Sequence, residues 1–146
     1  ERSNACASGA GQLRPSVQLP NLTLLPGREE ISVEELIADT KRGFFLDNAG
    51  GVADHQVLTA QFRGAGIREI RNGKLGAPIK DFAFQFVTPN LWKSLDALGG
   101  PASAEQVLIG TDYLTSRDGV QLPYAGVRAV PVRFRDVNVL NTGRTA

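Results

Sequence analysis

One dipeptide constrains this chain more than any other feature. Asn72-Gly73 favours a two-residue type I′ turn, because both central residues of that turn need positive φ. It predicts a hairpin that joins Ile67–Arg71 to Lys74–Ile79. Just downstream, Phe82, Phe84 and Phe86 alternate with Ala83 and Gln85, the period-2 pattern of a strand with an aromatic face. Near the other end, Val130, Val132 and Phe134 point one way and Arg133 and Arg135 the other. Pro131 within that run predicts a sheet edge or a bulge, since proline has no amide to donate.

The remaining segments follow the same logic. Asn21–Leu25 reads as a short strand closed by Pro26-Gly27, a turn pair. Phe44-Phe45-Leu46, residues 56–62 and Val107-Leu108-Ile109 are further strand candidates, and Asp118-Gly119 marks a turn. Two helices are expected. Ser32 and Glu35 make a capping box that satisfies orphan amides at a helix start. Val33, Leu36 and Ile37 share one face, with Lys41 and Arg42 in the last turn and Gly43 at C′, where cations and glycine suit a helix end. In the second helix Thr88 caps and Pro89 sits at N1. Its apolar stripe is Leu91, Trp92, Leu95 and Leu98, and Gly99-Gly100-Pro101 ends it. The fold class is therefore α+β, a mainly antiparallel β-sheet or barrel-like domain with two short helices, spanning residues 20–146. Residues 1–19 are small and polar. They are expected to be a flexible segment, because so few groups can be buried to offset ordering entropy.

Composition narrows the function classes. The 146 residues carry 16 Lys+Arg against 15 Asp+Glu, a net charge of +1. That balance supplies no general attraction to nucleic acid or to an anionic membrane. No apolar run approaches the roughly 20 residues that span a bilayer. The start has no basic-then-apolar leader, so a signal peptide is not expected and a cytoplasmic location is. One Cys excludes a disulfide framework within the chain. One Cys with one His excludes the usual three- or four-ligand zinc sites. The chain begins at Glu1 rather than Met, as expected for a trimmed, cleaved or truncated piece of a longer product.

Few residues invite a chemical reading. Asp54-His55 with Cys6 has the residue types of a cysteine nucleophile and its base, but nothing places them in contact; a free thiol and a surface histidine is the simpler reading. Asn48-Ala49-Gly50-Gly51 can let a peptide or anion approach the backbone closely. An ordinary β-turn is the favoured alternative. Arg128, Arg133, Arg135 and Arg144 can grip a carboxylate or an acidic patch, although a solvated strand face is the default for alternating charge. Asn21-Leu22-Thr23 matches the glycosylation sequon and reads as chance. Trp92 and the three phenylalanines at 82, 84 and 86 read as core.

The order of segments goes further. Asn21–Gly27 precedes a short helix, then Gly43-Phe44-Phe45-Leu46-Asp47-Asn48-Ala49-Gly50-Gly51, then Gly66–Lys74 and Ala77-Pro78-Ile79. This resembles the C-terminal part of the TldD/PmbA metallopeptidases, formerly labelled modulators of DNA gyrase, over most of residues 14–146. The hairpin with Asn72-Gly73-Lys74 is the most specific match. Departures occur at Thr59–Gly64 and at Val87-Thr88-Pro89-Asn90. The resemblance implies zinc-dependent cleavage of peptides or unfolded proteins, in a homo- or hetero-dimer, through an H-E-x-x-x-H helix upstream of the matched region. This chain lacks that motif, and Thr111–Val127 lacks the cysteine ligand of TldD-type members. No catalytic or metal-binding residue is therefore expected here, and zinc is expected only in the intact protein. The expected role is one wall of a peptide-binding cavity and a subunit interface, with Gly50, Gly51 and Asp54 as substrate-binding residues. The competing role is a non-catalytic PmbA-like partner or scaffold. Nucleic acid and membrane are not expected partners.

Overall fold

A computed structural model describes residues 7–8, 16–17, 21–54, 56–109 and 125–141. In chain order the elements begin with β1 (Ala7–Ser8), β2 (Ser16–Val17), β3 (Asn21–Thr23) and α1 (Val33–Ala38). Next come β4 (Arg42–Phe45), β5 (Asn48–Ala53), β6 (Thr59–Ala65), β7 (Arg68–Arg71), β8 (Lys74–Pro78) and β9 (Phe82–Val87). Then follow α2 (Thr88–Lys93), β10 (Leu95–Leu98), a 3₁₀ turn (Pro101–Ser103), β11 (Glu105–Ile109), β12 (Ala125–Ala129), β13 (Val132–Phe134) and β14 (Asn138–Asn141). The fold is α+β with mainly antiparallel strands and two short helices, as expected. Among the described residues the sheets stay open and none closes into a barrel.

The chain divides into two compact units, residues 1–26 with 104–130 and residues 27–103 with 131–146. The first holds an antiparallel β1–β2 pair and a three-stranded sheet ordered β11-β12-β3. Its β12–β3 pair is parallel, with Val127 opposite Leu22, and its β11–β12 pair is antiparallel, with Val107 opposite Val127. The Leu24 amide donates to the Arg128 carbonyl at 2.8 Å and extends that pairing.

The second unit contains both helices and three sheets: β4-β7-β8, β14-β9-β6-β5 and the pair β10-β13. The Asn-Gly turn forms as the sequence predicts. Asn72 and Gly73 have φ of 48° and 74°, and Arg71 pairs with Lys74. The turn is also docked. The Asn72 amide donates to the Lys41 carbonyl at 2.7 Å and the Gly73 amide to the Thr40 carbonyl at 2.9 Å. The capping box forms too, with Ser32 Oγ accepting from the Glu35 amide and Glu35 Oε2 from the Ser32 amide.

Several expectations change. The first helix ends at Ala38 with Asp39 as C-cap, so no cation lies in its last turn and Gly43 lies inside β4. Thr40 Oγ1 donates to the Leu36 carbonyl and closes the helix early. The second helix ends at Lys93 with Val87 as N-cap and no side-chain cap. Leu95 and Leu98 belong to β10 instead, where pairing with β13 outweighs their helical spacing. Asn48–Gly51 is strand, not turn. The strand expected at 56–62 starts at Thr59. The run Val130–Arg135 is interrupted at Pro131, and only Val132–Phe134 is strand. Of the four aromatics expected in the core, Phe82 is buried and Phe84 and Phe86 are half-buried, whereas Trp92 is 50% exposed with its ring edge-on to Phe134 and is not core. The buried residues of this unit include Leu36, Ala60, Ile67, Ile70, Phe82 and Ala83. The expected turn at Asp118-Gly119 lies outside the described residues, as does most of the segment 1–19.

Gly73 provides the test of the turn. A Cβ there would lie 2.5 Å from the Ala38 carbonyl oxygen, on a residue already at positive φ. Gly73→Ala should therefore cost about 1–3 kcal/mol, read as a lower urea midpoint at constant slope. An unchanged midpoint would show that the turn does not hold this conformation against α1.

Candidate functional site

The four-stranded sheet β14-β9-β6-β5 carries the features that could hold a ligand. Directly paired residues of an antiparallel sheet share a face. Phe62 pairs with Phe84 on one side and Gly51 on the other. The aromatic face therefore runs from Phe62 through Phe82, Phe84 and Phe86, with ring centroids 5.5–6.2 Å apart, and Phe44 of β4 meets Phe82 at 4.9 Å. Such contacts are worth about 0.5–1.5 kcal/mol each beyond their buried area, enough to hold β6 and β9 as the rigid centre of the sheet.

β5 is the edge. All six of its residues are exposed, and its outer side has no strand partner among the described residues. The two glycines singled out in the sequence differ there. A Cβ on Gly51 would overlap the Gln61 carbonyl oxygen and the Phe62 ring, whereas nothing lies within 4 Å of one on Gly50. Gly51 is thus required by packing on β6. Gly50 leaves one face of the strand open. Asp54 closes the strand: its amide donates to the Thr59 carbonyl, and its Oδ1 accepts from the Gln56 and Val57 amides at 2.8 and 3.2 Å. Leu58 completes the turn at φ 58°. His55, Cys6 and Arg144 lie outside the described residues.

The opposite face mixes polar and apolar residues. Val52, Gln61, Gln85 and Asn138 stand in register across the four strands. At the β14 side this face opens into a cavity of about 480 Å³, lined in part by Thr59, Gln85, Asn90, Leu91, Arg135 and Asn138. Sequence reading missed this row because exposed glutamines and asparagines carry no period of their own; only strand register brings them together.

Of the candidate arginines, Arg133 and Arg135 come together at Asp96. Arg133 grips both carboxylate oxygens, Nε to Oδ1 at 3.0 Å and Nη2 to Oδ2 at 3.2 Å. Its Nη1 also reaches Asp39 Oδ2 at 2.9 Å and Thr40 Oγ1 at 3.2 Å. Its side chain is only 17% exposed, so it is not part of a solvated face. Arg135 Nε meets Asp96 Oδ2 at 2.5 Å, with the side chain 62% exposed. Arg128 is exposed on β12 of the other unit. Burial alone would raise the Asp96 carboxyl, but the hydrogen bonds and charges of the two arginines outweigh it and hold it below its ordinary value. The same contact raises Arg133, against the opposing effect of its own burial, with Asp39 adding to the rise. Among the described residues no group of three or more His, Cys, Asp or Glu is placed to hold a metal ion. The donor set of the described residues does not fit zinc, which takes three or four such ligands.

Residues 2–139 match the family model described as the PmbA/TldA metallopeptidase C-terminal domain. The chain belongs to this family. No curated protein matches it. A solved structure from Thermotoga maritima, named as a modulator of a DNA gyrase, is similar with a TM-score of 0.63 at 19% identity. The match covers 89% of this chain and 25% of that one, so the chain spans about a quarter of that protein's length. At that identity the likeness is one of fold. Within this PmbA/TldD C-terminal domain no helix among the described residues is long and apolar enough to cross a membrane.

The Asp96 contacts predict an acid limb in stability. Asp96→Asn removes hydrogen bonds between charged groups and should lower stability by about 2 kcal/mol at pH 7. Because the folded carboxyl titrates below the unfolded one, the unfolded chain binds more protons between the two values. The stabilisation is complete above the unfolded value of about 4 and fades as pH falls through the lower folded value. Urea midpoints measured from pH 7 downward should show a smaller decline in Asp96→Asn than in the parent chain. Parallel declines would refute the assignment.

Proposed function

We propose that this domain forms one wall of the peptide-binding cavity, and part of a subunit interface, in a zinc-dependent peptidase whose metal motif lies outside this chain. Family membership supports the peptidase setting, since the matching family is described as metallopeptidase. The observation that carries the peptide role is the open edge of β5, six exposed residues on a sheet made rigid by its aromatic face. An extended peptide adds to such an edge through main-chain hydrogen bonds, which bind many sequences alike. Gly50 gives room on one face, and Asp54 fixes the end of the strand. The substrate class is then an unfolded or extended peptide. Assembly as a homo- or hetero-dimer and a cytoplasmic setting belong to the same proposal.

One feature favours a second reading. The stretch Thr111–Val127 has no cysteine, whereas TldD-type relatives are expected to carry a metal ligand there. A partner subunit that binds peptide without hydrolysing it fits that absence.

Two measurements test these readings. An extended peptide should bind the chain, and backbone N-methylation at alternate peptide residues should weaken binding about tenfold. Gly50→Val, which has space to fold, should weaken it as well. Equal binding of N-methylated and parent peptides would end the strand-addition idea. In the longer protein that contains this chain, the peptidase reading expects bound zinc and peptide hydrolysis that a chelator abolishes. Peptide binding with neither zinc nor hydrolysis would establish the partner reading instead.

A further inference from the structure

The cavity at the β14 side of the four-stranded sheet is separate from the β5 edge and carries its own chemistry. It is bounded by the end of β9, by α2 and by the bend that joins β13 to β14. Its volume of about 480 Å³ falls within the range of roughly 300–1,000 Å³ typical of small-ligand pockets. Two consecutive residues of the bend, Arg135 and Asp136, line it with opposite charges.

Neither charge is fully used among the described residues. Arg135 spends Nε on Asp96, and its two Nη groups make no hydrogen bond among the described residues. That leaves the end of the guanidinium fork, a geometry suited to a carboxylate. Asp136 is exposed, at φ 54°, and its carboxylate has no ion-pair or hydrogen-bond partner among the described residues. Three carboxamides also line the cavity: Gln85 of β9, Asn90 of α2 and Asn138 of β14. Gln85 and Asn138 sit directly opposite each other on β9 and β14. Each carboxamide offers one acceptor and two donors, the complement of a peptide group. None of the three makes a side-chain hydrogen bond among the described residues.

We propose that this cavity binds a zwitterionic dipeptide. The α-carboxylate is held by the Nη groups of Arg135, the α-ammonium by Asp136, and a peptide group by the carboxamides. A simple anion would be repelled by Asp136 and a simple cation by Arg135, so the pair selects a ligand that carries both charges. In a cavity open to solvent each charge contact is modest, and the selectivity comes from needing both.

L-Alanyl-L-alanine is the probe, titrated into the 146-residue chain and followed by amide chemical shifts. Saturable binding is expected in the millimolar range or tighter, with shifts centred on β9, α2 and residues 135–138. N-acetylation and C-terminal amidation of the dipeptide should each weaken binding about tenfold. Asp136→Asn keeps a residue that tolerates left-handed backbone and should weaken the free dipeptide about tenfold while leaving the N-acetylated one unchanged. Asn138→Ala should weaken both. Gly50→Val should leave dipeptide binding intact, which separates this site from the β5 edge. Equal affinity for free and capped dipeptides would overturn the proposal, as would the absence of saturable shifts or shifts confined to β5.

Discussion

One guanidinium ties together the elements of the larger unit that sequence places far apart. Arg133 of β13 holds Asp96 of β10 by a two-point grip, and Asp39 and Thr40 at the end of α1 by its remaining nitrogen. A charge only 17% exposed is tolerable because its donors are met by oxygens of opposite charge or dipole. The consequences spread from there. The end of α1 is fixed where its following residues accept the Asn-Gly turn of the β7–β8 hairpin. Asp96 is fixed where it can orient Arg135, which borders the cavity at the β14 side of the four-stranded sheet.

The four-stranded sheet shows how one scaffold can leave two surfaces available. β6 and β9 are joined along five paired positions and by their phenylalanines, so the centre is stiff. β5 and β14 are the edges. The β5 edge offers main-chain groups with little side-chain bulk, and the β14 side offers charged and amide side chains around a cavity. Main-chain pairing reads shape and extension; charged and amide groups read end groups. The two glycines of β5 illustrate the division, since Gly51 is required by its neighbour on β6 and Gly50 faces open space.

Much of the fold was legible because its signals are local. The Asn-Gly turn, the Ser32–Glu35 capping box and the alternating phenylalanines each depend on neighbouring residues, and each forms. Misreadings fall where a local pattern competes with a distant partner. Leu95 and Leu98 have helical spacing after Leu91, yet β13 claims them as a strand. Asn48–Gly51 has turn composition, yet β6 draws it into a ladder. Trp92 and Arg133 exchange their expected environments: the tryptophan is half exposed and the arginine mostly covered. Hydrophobic spacing cannot foresee an ion pair that spans 37 residues, nor an aromatic ring left at the rim of a small unit.

The sequence by itself determined the α+β class, the hairpin at Asn72-Gly73 and the family, because turn chemistry, strand alternation and the order of motifs are written along the chain. Only the tertiary structure decided which strand is an edge, which glycine is open, and that Gln85, Asn138, Arg135 and Asp136 border one cavity. Those facts depend on register and pairing between segments far apart in the chain. Register shifts by one residue turn every side chain to the other face, and no local pattern states which partner a strand will choose.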